Sequence, residues 1–213
     1  MARGGPARAI EVNVLASLNV FQAAARRGVP VSFLSTAGVF GPATAALPHP
    51  MTVYGVTKLA VEGIARVFAA DYGVPSLGLR PYIVYGPGIS RGISAGPSIA
   101  LAASVRREPA TIGFSGRVGF VHVDDVAAML VAGLTSSRPD AHVLTMAGDT
   151  RDMTDFVELL RRRTEWDGID VTGPPLKIPS DLVSDPVPEW LGAHRVTPIE
   201  EGIDATLSEL GAR

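Results

Sequence analysis

Two residues with complementary proton chemistry, Tyr54 and Lys58, stand four positions apart in the segment Tyr54-Gly55-Val56-Thr57-Lys58. On a helix this spacing places both side chains on one face, so that a phenol and an ammonium group lie side by side. The positive charge favours the phenolate, and we expect it to lower the pKa of Tyr54 towards neutral pH. The pair is suited to proton transfer from a hydroxyl group. Taken alone, the spacing equally fits a tyrosine at a helix start followed by a solvated lysine.

The elements that would position this pair alternate between helices and short apolar strands. Helical periodicity predicts a helix over residues 6–27 and another that is capped by Thr52 and continues to about Tyr72. Val31–Leu34 and Ser76–Leu79 are apolar runs that predict buried strands. Strands separated by helices indicate an α/β fold with a parallel sheet.

Two small hydroxyl residues, Ser35 and Thr36, follow the first predicted strand directly. Open α/β sheets bind ligands beyond the carboxyl ends of their strands, so these hydroxyls are candidate binding groups. Serine and threonine are also common in turns, and that interpretation stays open for both residues.

The rest of the chain continues the same alternation, with irregular stretches at 42–50 and at Thr172–Pro198, where Trp190 is the expected anchor. Asp152–Asp155 resembles a capping box at a helix start. The other predicted elements are helices at about 98–107, 126–134 and 199–210 and strands at 118–123 and 143–146.

Composition excludes several classes of protein. The chain has 213 residues, a net charge of −2 and no basic block, so we expect no nucleic-acid partner. It has no cysteine, which excludes disulfides and thiolate metal sites, and its four histidines show no metal-ligand spacing. No apolar run reaches about 18 residues and the first residues lack a signal-peptide core, so we expect a cytoplasmic protein without a membrane segment. Lys58 is one of only two lysines.

Several motifs occur in a fixed order along the chain, and together they carry a resemblance. The segments are Asn13–Val20 (N-V-x-G-T-x-N), Leu34–Gly41 (S-S/T-x-x-V-Y-G), Tyr54–Lys58 (Y-x-x-x-K), Leu79–Gly88 (L-R-P-x-x-V-Y-G-P-G), Phe120–Ala127 (F-I-H-V-D-D-V-A) and Pro198–Gly202. In these segments the chain resembles the extended short-chain dehydrogenase/reductase family in its NAD-dependent epimerase/dehydratase branch, which includes the nucleotide-sugar 4-epimerases.

This resemblance implies a partial Rossmann-like parallel sheet with flanking helices and a small C-terminal substrate lobe. Residues 1–213 would form a single truncated NAD(P)-binding domain, with substrate-lobe segments at about 86–117 and 165–198. The implied activity is oxidation and reduction of a sugar or nucleotide-sugar hydroxyl by Tyr/Lys-assisted hydride transfer, with NAD or NADP as the cofactor. Epimerase, dehydratase and reductase share these residues, so the reaction type stays open.

The resemblance also implies roles for individual residues. Thr36 would hydrogen-bond the substrate hydroxyl, Tyr54 would take its proton, and Lys58 would bind the nicotinamide ribose and keep Tyr54 acidic. His122, in the V-H-V-D-D segment, is expected to order its loop rather than to catalyse. Further residues implied at the cofactor are Asn13, Ser35, Pro81, Ile83 and Val84, of which Asn13 could equally be an ordinary helix amide.

The chain departs from the family pattern in two places. The family opens with a strand and a G-x-x-G-x-x-G turn, and no such motif is present here, so we expect a first βαβαβ half of about 60 residues to be missing. Many nucleotide-sugar members carry R-D-F or R-D-Y before I-H-V, whereas this chain has Arg117-Val118-Gly119-Phe120. Arg117 and Arg91 stay candidates for an anionic substrate or as solvated arginines.

The missing half leaves three explanations open. The chain is a fragment or mis-started reading frame, it is completed by another polypeptide or a dimer partner, or it is a non-catalytic remnant that keeps the fold. The family further implies a homodimer through the helices that carry Asn13 and Tyr54.

Overall fold

The computed structural model describes residues 5–42, 44–135 and 140–211, and in it the chain forms two units. Of Met1–Pro6, the segment that lacks a signal-peptide core, Met1–Gly4 lie outside the described residues. The first unit comprises Met1–Pro81, Ala127–Met146 and Lys177–His194, and the second comprises Tyr82–Val126, Ala147–Leu176 and Arg195–Arg213.

The described residues contain seven α-helices and ten strands. The helices are α1 (Gly5–Ile10), α2 (Ala16–Arg27), α3 (Val53–Tyr72), α4 (Gly96–Arg106), α5 (Val123–Thr135), α6 (Met153–Thr164) and α7 (Ile199–Glu209). The strands are β1 (Val31–Leu34), β2 (Phe40–Gly41), β3 (Thr44–Pro48), β4 (Ser76–Pro81), β5 (Ile83–Tyr85), β6 (Ala110–Ile112), β7 (Arg117–His122), β8 (Ala141–Met146), β9 (Asp149–Asp152) and β10 (Ile169–Val171).

A parallel sheet in the order β1-β4-β8 is the centre of the first unit. Both strand pairs are parallel, with Val31 opposite Ser76 and Ser76 opposite Ala141. The far side of β8 is bonded by Asp185, whose backbone N–H donates to the Thr145 carbonyl oxygen at 3.0 Å. The parallel sheet with flanking helices confirms the predicted α/β fold.

The helices α2 and α3 form an apolar core against this sheet. Phe21 contacts Phe68 with ring centroids 5.5 Å apart, and Phe33 of β1 meets Phe21 edge to face at 5.9 Å. Val61 and Ala65 of α3 are buried in the same cluster. Burial of these side chains fixes which face of α3 points inward, and therefore which face is left for polar groups.

The helix predicted over residues 6–27 is interrupted. A π-helical turn, Glu11–Leu15, separates α1 from α2, and Asn13 lies at its centre. A π-turn contains one residue more than an α-turn, so it rotates the side chains around it relative to the regular helical pattern. Apolar periodicity could not reveal it, because the residues on either side remain helical.

The stretch 42–50, expected to be irregular, instead contains most of a small hairpin. Strands β2 and β3 pair antiparallel, with Phe40 opposite Pro48 and Gly41 opposite Thr44. Its prolines concealed it, since proline in a sequence argues against a strand but is tolerated in edge strands. Further along the first unit, Trp190, the expected anchor, packs on the ring of His142 with centroids 5.0 Å apart.

The second unit contains a mixed sheet in the order β5-β7-β9 and a parallel pair, β6 and β10. Strand β7 is parallel to β5 and antiparallel to β9. Tyr85, Phe120 and Phe156 form its aromatic core, with the rings of Phe120 and Phe156 stacked at 5.1 Å. Sequence patterns did not predict β5, β6, β9 and β10. Each strand has at most four residues, and β9 has the polar sequence Asp-Thr-Arg-Asp.

Two carboxylates hold the start of α7 in the second unit. Asp125 accepts hydrogen bonds from the Thr197 N–H and hydroxyl at 2.8 and 2.7 Å, and Asp149 accepts from the Ile199 N–H at 3.1 Å. Asp125 lies within α5, which begins at Val123, three residues earlier than predicted. The predicted substrate-lobe segment 86–117 lies in this unit and 165–198 is divided between the units, so the lobe stays a prediction.

Within the described residues, no helix combines the length and the apolar character needed to cross a membrane.

Candidate active site

The first turn of α3 sets the position of Tyr54. Thr52 is the N-cap, and its hydroxyl oxygen accepts a 3.0 Å hydrogen bond from the Gly55 N–H. This bond satisfies a backbone donor that a helix leaves free at its start. The four-residue spacing then places Tyr54 and Lys58 on one face of α3, with Lys58 Nζ 5.7 Å from the centre of the Tyr54 ring.

Lys58 reaches from α3 to the carboxyl end of β1. Its Nζ donates a 2.7 Å hydrogen bond to the carbonyl oxygen of Leu34, the last residue of that strand. Burial lowers the pKa of Lys58, because removing an ammonium group from water disfavours its charged form. The bond places the charge of Lys58 at the strand end where open α/β sheets bind ligands.

The prediction that Lys58 lowers the pKa of Tyr54 is wrong, because the pKa is raised instead. Burial raises the pKa of Tyr54, although its side chain stays 42% exposed. Loss of water disfavours a phenolate. The ammonium of Lys58 is directed to the Leu34 carbonyl rather than to the phenol oxygen, so the loss of water decides the direction of the pKa shift.

Thr36 begins a short 3-10 turn, Ala37–Val39, beside the start of α3. Its hydroxyl oxygen accepts a 3.1 Å hydrogen bond from the Gly38 N–H, and among the described residues no acceptor binds the hydroxyl proton. The same turn touches α3 closely, because a Cβ on Gly55 would lie 2.3 Å from the Gly38 carbonyl oxygen. The structure thus brings the Thr36 turn and the Tyr54 turn into direct contact.

Asn13 lies near this group through a chain of hydrogen bonds. Its side-chain amide donates to the Thr57 hydroxyl at 3.0 Å, and that hydroxyl donates to the Tyr54 carbonyl oxygen at 2.8 Å. The π-turn directs Asn13 towards α3 and makes this contact available. Asn13 therefore braces the first turn of α3, and its predicted contact with the cofactor stays a prediction.

Ser35 is hydrogen-bonded to Glu62, a residue that none of the motifs indicated. Its side chain is 3% exposed, and its hydroxyl donates a 2.5 Å hydrogen bond to Glu62 Oε1. Glu62 also accepts two bonds from the Arg80 guanidinium, at 2.8 and 2.5 Å. The available signal was the spacing of Tyr54, Lys58 and Glu62, which repeats every four residues. The predicted role of Ser35 at the cofactor stays a prediction.

The remaining predicted residues lie further along the chain. Pro81 is the buried last residue of β4 in the first unit. In the second unit, Ile83 is buried and Val84 half-buried in β5, while Arg91 and Arg117 are exposed. Their predicted roles stay predictions. The residues that the structure brings together are five of the six in the first unit: Asn13, Ser35, Thr36, Tyr54 and Lys58.

The polar groups at this site fit a ligand that carries hydroxyls. The ammonium of Lys58 has three protons, one of which is used by Leu34. The Tyr54 hydroxyl makes no hydrogen bond to any residue in the part of the chain that the structure describes. Free donors and acceptors at a sheet's carboxyl end match the ribose of a nicotinamide cofactor and the hydroxyl of a sugar.

The fold defines a class of α/β protein with a parallel sheet and flanking helices, and comparison with known proteins identifies the family. A sequence model described as the NAD dependent epimerase/dehydratase family matches residues 3–146. The chain belongs to this family, which is NAD(P)-dependent.

Individual relatives agree with that assignment. The chain is 31% identical over 173 residues to GDP-6-deoxy-D-mannose reductase of Pseudomonas aeruginosa, an alignment covering 73% of this chain and 56% of the reductase. It is similar in structure to a UDP-glucose 4-epimerase of Thermotoga maritima with UDP-glucose, with a TM-score of 0.81 and 26% identity over 95% of this chain and 70% of that one.

A second solved structure is of the protein MoeE5 in complex with UDP-glucuronic acid and NAD. Its TM-score is 0.78 and its identity 28%, over 94% of this chain and 71% of that chain. The chain thus spans about half the length of the curated reductase and seven tenths of these two structures.

Proposed function

We propose that this protein is an NAD(P)-dependent epimerase/dehydratase-type oxidoreductase acting on a sugar or nucleotide-sugar hydroxyl. The observation that carries the proposal is the position of Lys58, whose Nζ lies 5.7 Å from the Tyr54 ring centre and 2.7 Å from the Leu34 carbonyl oxygen. In the proposed reaction Tyr54 is the proton acceptor and Lys58 is the fixed cation at the carboxyl end of β1.

The relatives support the choice of substrate class. The T. maritima structure holds UDP-glucose, the MoeE5 structure holds UDP-glucuronic acid and NAD, and the P. aeruginosa relative is named for a GDP-linked deoxysugar. The nucleotide and the sugar differ among the three, so the proposal extends to nucleotide sugars as a class.

The residues of this chain would act on the proton of the reacting hydroxyl. The Thr36 hydroxyl hydrogen-bonds the substrate oxygen and orients it. The Tyr54 oxygen accepts the substrate proton after the phenol has released its own proton to solvent. The charge of Lys58 stabilises the Tyr54 phenolate, and the Leu34 carbonyl keeps Lys58 from moving away. Positioned general-base groups of this kind accelerate reactions by about 10²–10⁴-fold.

The cofactor would be held by groups that the structure leaves available. Lys58 keeps two ammonium protons for ribose hydroxyls, and Tyr54 keeps its hydroxyl for the same region. A nicotinamide cofactor, when bound, supplies the two-electron acceptor and donor for the substrate carbon. Asn13 and the Thr57 hydroxyl keep the first turn of α3 rigid while the cofactor and substrate bind.

Replacement of Tyr54 by phenylalanine tests the proposal. The protein is incubated with NAD or NADP and a panel of UDP-, GDP- and dTDP-sugars, and interconversion of the sugars is followed by chromatography. Tyr54→Phe should reduce turnover about 10²–10⁴-fold. Tyr72→Phe, which alters an exposed tyrosine at the end of the same helix, should leave it unchanged.

Two outcomes would overturn the proposal. Unchanged turnover in Tyr54→Phe would show that the phenol is not the base. Absence of both nicotinamide binding and turnover across the panel would favour the alternative interpretation, a remnant or fragment that keeps the fold without catalysis.

The partner that we propose for the protein is a second copy of itself. Helices α2 and α3 pack on each other, and Val20, Val56 and Val67 on these helices are each more than half exposed. Apolar side chains exposed on paired helices favour association. Sedimentation velocity should show a dimer that Val67→Glu converts to a monomer, and a monomeric native protein would contradict the proposal.

A further inference from the structure

Glu62 has an unusual position for a charged residue. It is fully buried in α3, and two side chains from different elements bind its two carboxylate oxygens. Ser35, just after β1, donates to Oε1, while the Arg80 guanidinium on β4 donates to both oxygens. A fully satisfied arrangement of this kind ties three elements together at one point.

The peptide group between Leu34 and Ser35 is held from several sides. The Leu34 carbonyl oxygen accepts from Lys58 Nζ at 2.7 Å, and the Ser35 N–H donates to the Leu79 carbonyl oxygen at 2.7 Å. The Ser35 side chain adds the bond to Glu62 at 2.5 Å. Rotation of this peptide would move the Leu34 carbonyl oxygen, which binds Lys58, and would also shift Thr36, which follows Ser35.

We propose that Glu62 is a positioning residue for Lys58 and Thr36, and that it acts through the Ser35 hydroxyl. Glu62 does not touch the reacting atoms. It fixes the strand end, so that the Leu34 carbonyl meets Lys58 and the Thr36 hydroxyl faces the substrate. The contribution of Glu62 to catalysis rests on the function proposed above, whereas its effect on the position of Lys58 does not depend on that function.

The arrangement is more specific than stability alone requires. A buried ion pair costs desolvation energy, and an apolar pair of similar volume often stabilises a fold as well or better. Arg80 and Glu62 also bind each other with two parallel hydrogen bonds, which fixes the orientation of the carboxylate. Glu62 Oε1, held in place by Arg80, also accepts the Ser35 hydroxyl and so directs it.

The presence of only two lysines allows the position of Lys58 to be measured without turnover. The full chain is treated with a limiting amount of acetic anhydride, and acetylation of Lys58 and of exposed Lys177 is followed over time by peptide mass spectrometry. A lysine held by a carbonyl oxygen reacts more slowly than a free one. Lys177 serves as the internal reference in the same tube.

Ser35→Ala removes the link and leaves the Arg80–Glu62 pair intact. We expect acetylation of Lys58 relative to Lys177 to rise about threefold, as for partial loss of one hydrogen bond. Ser35→Thr keeps a hydroxyl that can donate to Glu62 and should restore the native ratio. Ser104→Ala is the matched control, since Ser104 is also a buried serine and donates to the Ala100 carbonyl oxygen in the second unit.

Two results would overturn the proposal. One is an unchanged Lys58 ratio in Ser35→Ala. The other is a lowered thermal midpoint with both lysines acetylated faster together, which would reveal a purely structural role. Acetylation needs neither cofactor nor substrate. A negative acetylation result would therefore leave the proposed reaction unaffected, and a negative Tyr54→Phe result would leave the role of Glu62 at Lys58 unaffected. If both hold, Ser35→Ala should reduce kcat more than it changes KM.

Discussion

The backbone of α3 at Gly55 lies so close to the Gly38 carbonyl oxygen that no side chain fits between them. A Cβ built on Gly55 would lie 2.3 Å from that oxygen and 2.9 Å from Pro50 Cβ. The contact joins the turn that Thr36 begins to the turn that carries Tyr54. The absence of one methyl group therefore determines how closely the two candidate reactive side chains approach.

Gly55→Ala should destabilise the fold and disturb the site together. We expect a loss of about 1–3 kcal/mol in the free energy of unfolding, the usual cost of forcing an extra methyl group into a packed region. Gly63→Ala is the matched control on the same helix, because a Cβ there would meet only Arg66, at 3.8 Å. It should stabilise the protein by about 0.5–1 kcal/mol, and urea unfolding of both variants measures the difference. Equal effects would contradict the close contact.

The Tyr54 phenol should titrate above its ordinary pKa of about 10, because burial raises it. The difference in absorbance near 295 nm between the protein and Tyr54→Phe isolates this titration. Lys58→Met should raise the midpoint further by removing a nearby positive charge, whereas Lys177→Met should not. A midpoint at or below 10 would show that the ammonium outweighs burial.

The same shift has a consequence for stability. A pKa that is higher in the folded state means that folding favours the protonated phenol. The contribution of Tyr54 to stability is therefore fully present below about pH 10 and is lost as the pH rises through the folded-state value. Tyr54→Phe should accordingly weaken the fall in stability at alkaline pH.

Glu62→Ala should be among the most destabilising single changes in the first unit. It leaves the Arg80 guanidinium, whose side chain is only 14% exposed, without its partner. Removing one member of a buried ion pair costs about 3–5 kcal/mol. Asp204→Ala breaks the exposed pair between Arg163 and Asp204 and should cost no more than about 1 kcal/mol. Chemical denaturation compares the two, and similar losses would contradict the burial of Glu62.

Asp149 in the second unit should contribute to acid sensitivity. Burial by itself would raise its pKa, but hydrogen bonds from Arg151 and the Ile199 N–H, with the charge of Arg151, lower it. A lowered pKa contributes stability that is present above the ordinary value of about 3.9 and is lost as the pH falls through the folded-state value. Unfolding measured from pH 3 to pH 7 should show a smaller pH slope in Asp149→Asn. An unchanged slope would exclude this contribution.

The sequence by itself determined much of the first unit. The capping residue Thr52, the helix that follows it and the strand Val31–Leu34 appear where the pattern predicts them, since local hydrogen bonding and apolar periodicity are properties of neighbouring residues. The motifs also indicated the family, and the sequence model of that family matches residues 3–146. Tyr54 and Lys58 share a face of α3 for the same local reason.

Only the tertiary structure decided the rest. The contacts of Glu62 with Ser35 and Arg80 join residues 27 and 18 positions apart, and no local pattern specifies such pairs. The direction of the Tyr54 pKa shift depends on burial, which exists only after packing. Strand β9, with its polar sequence, forms because β7 offers it a partner. Spacing predicts which side chains share a face, whereas packing decides which groups lose water and which charges meet.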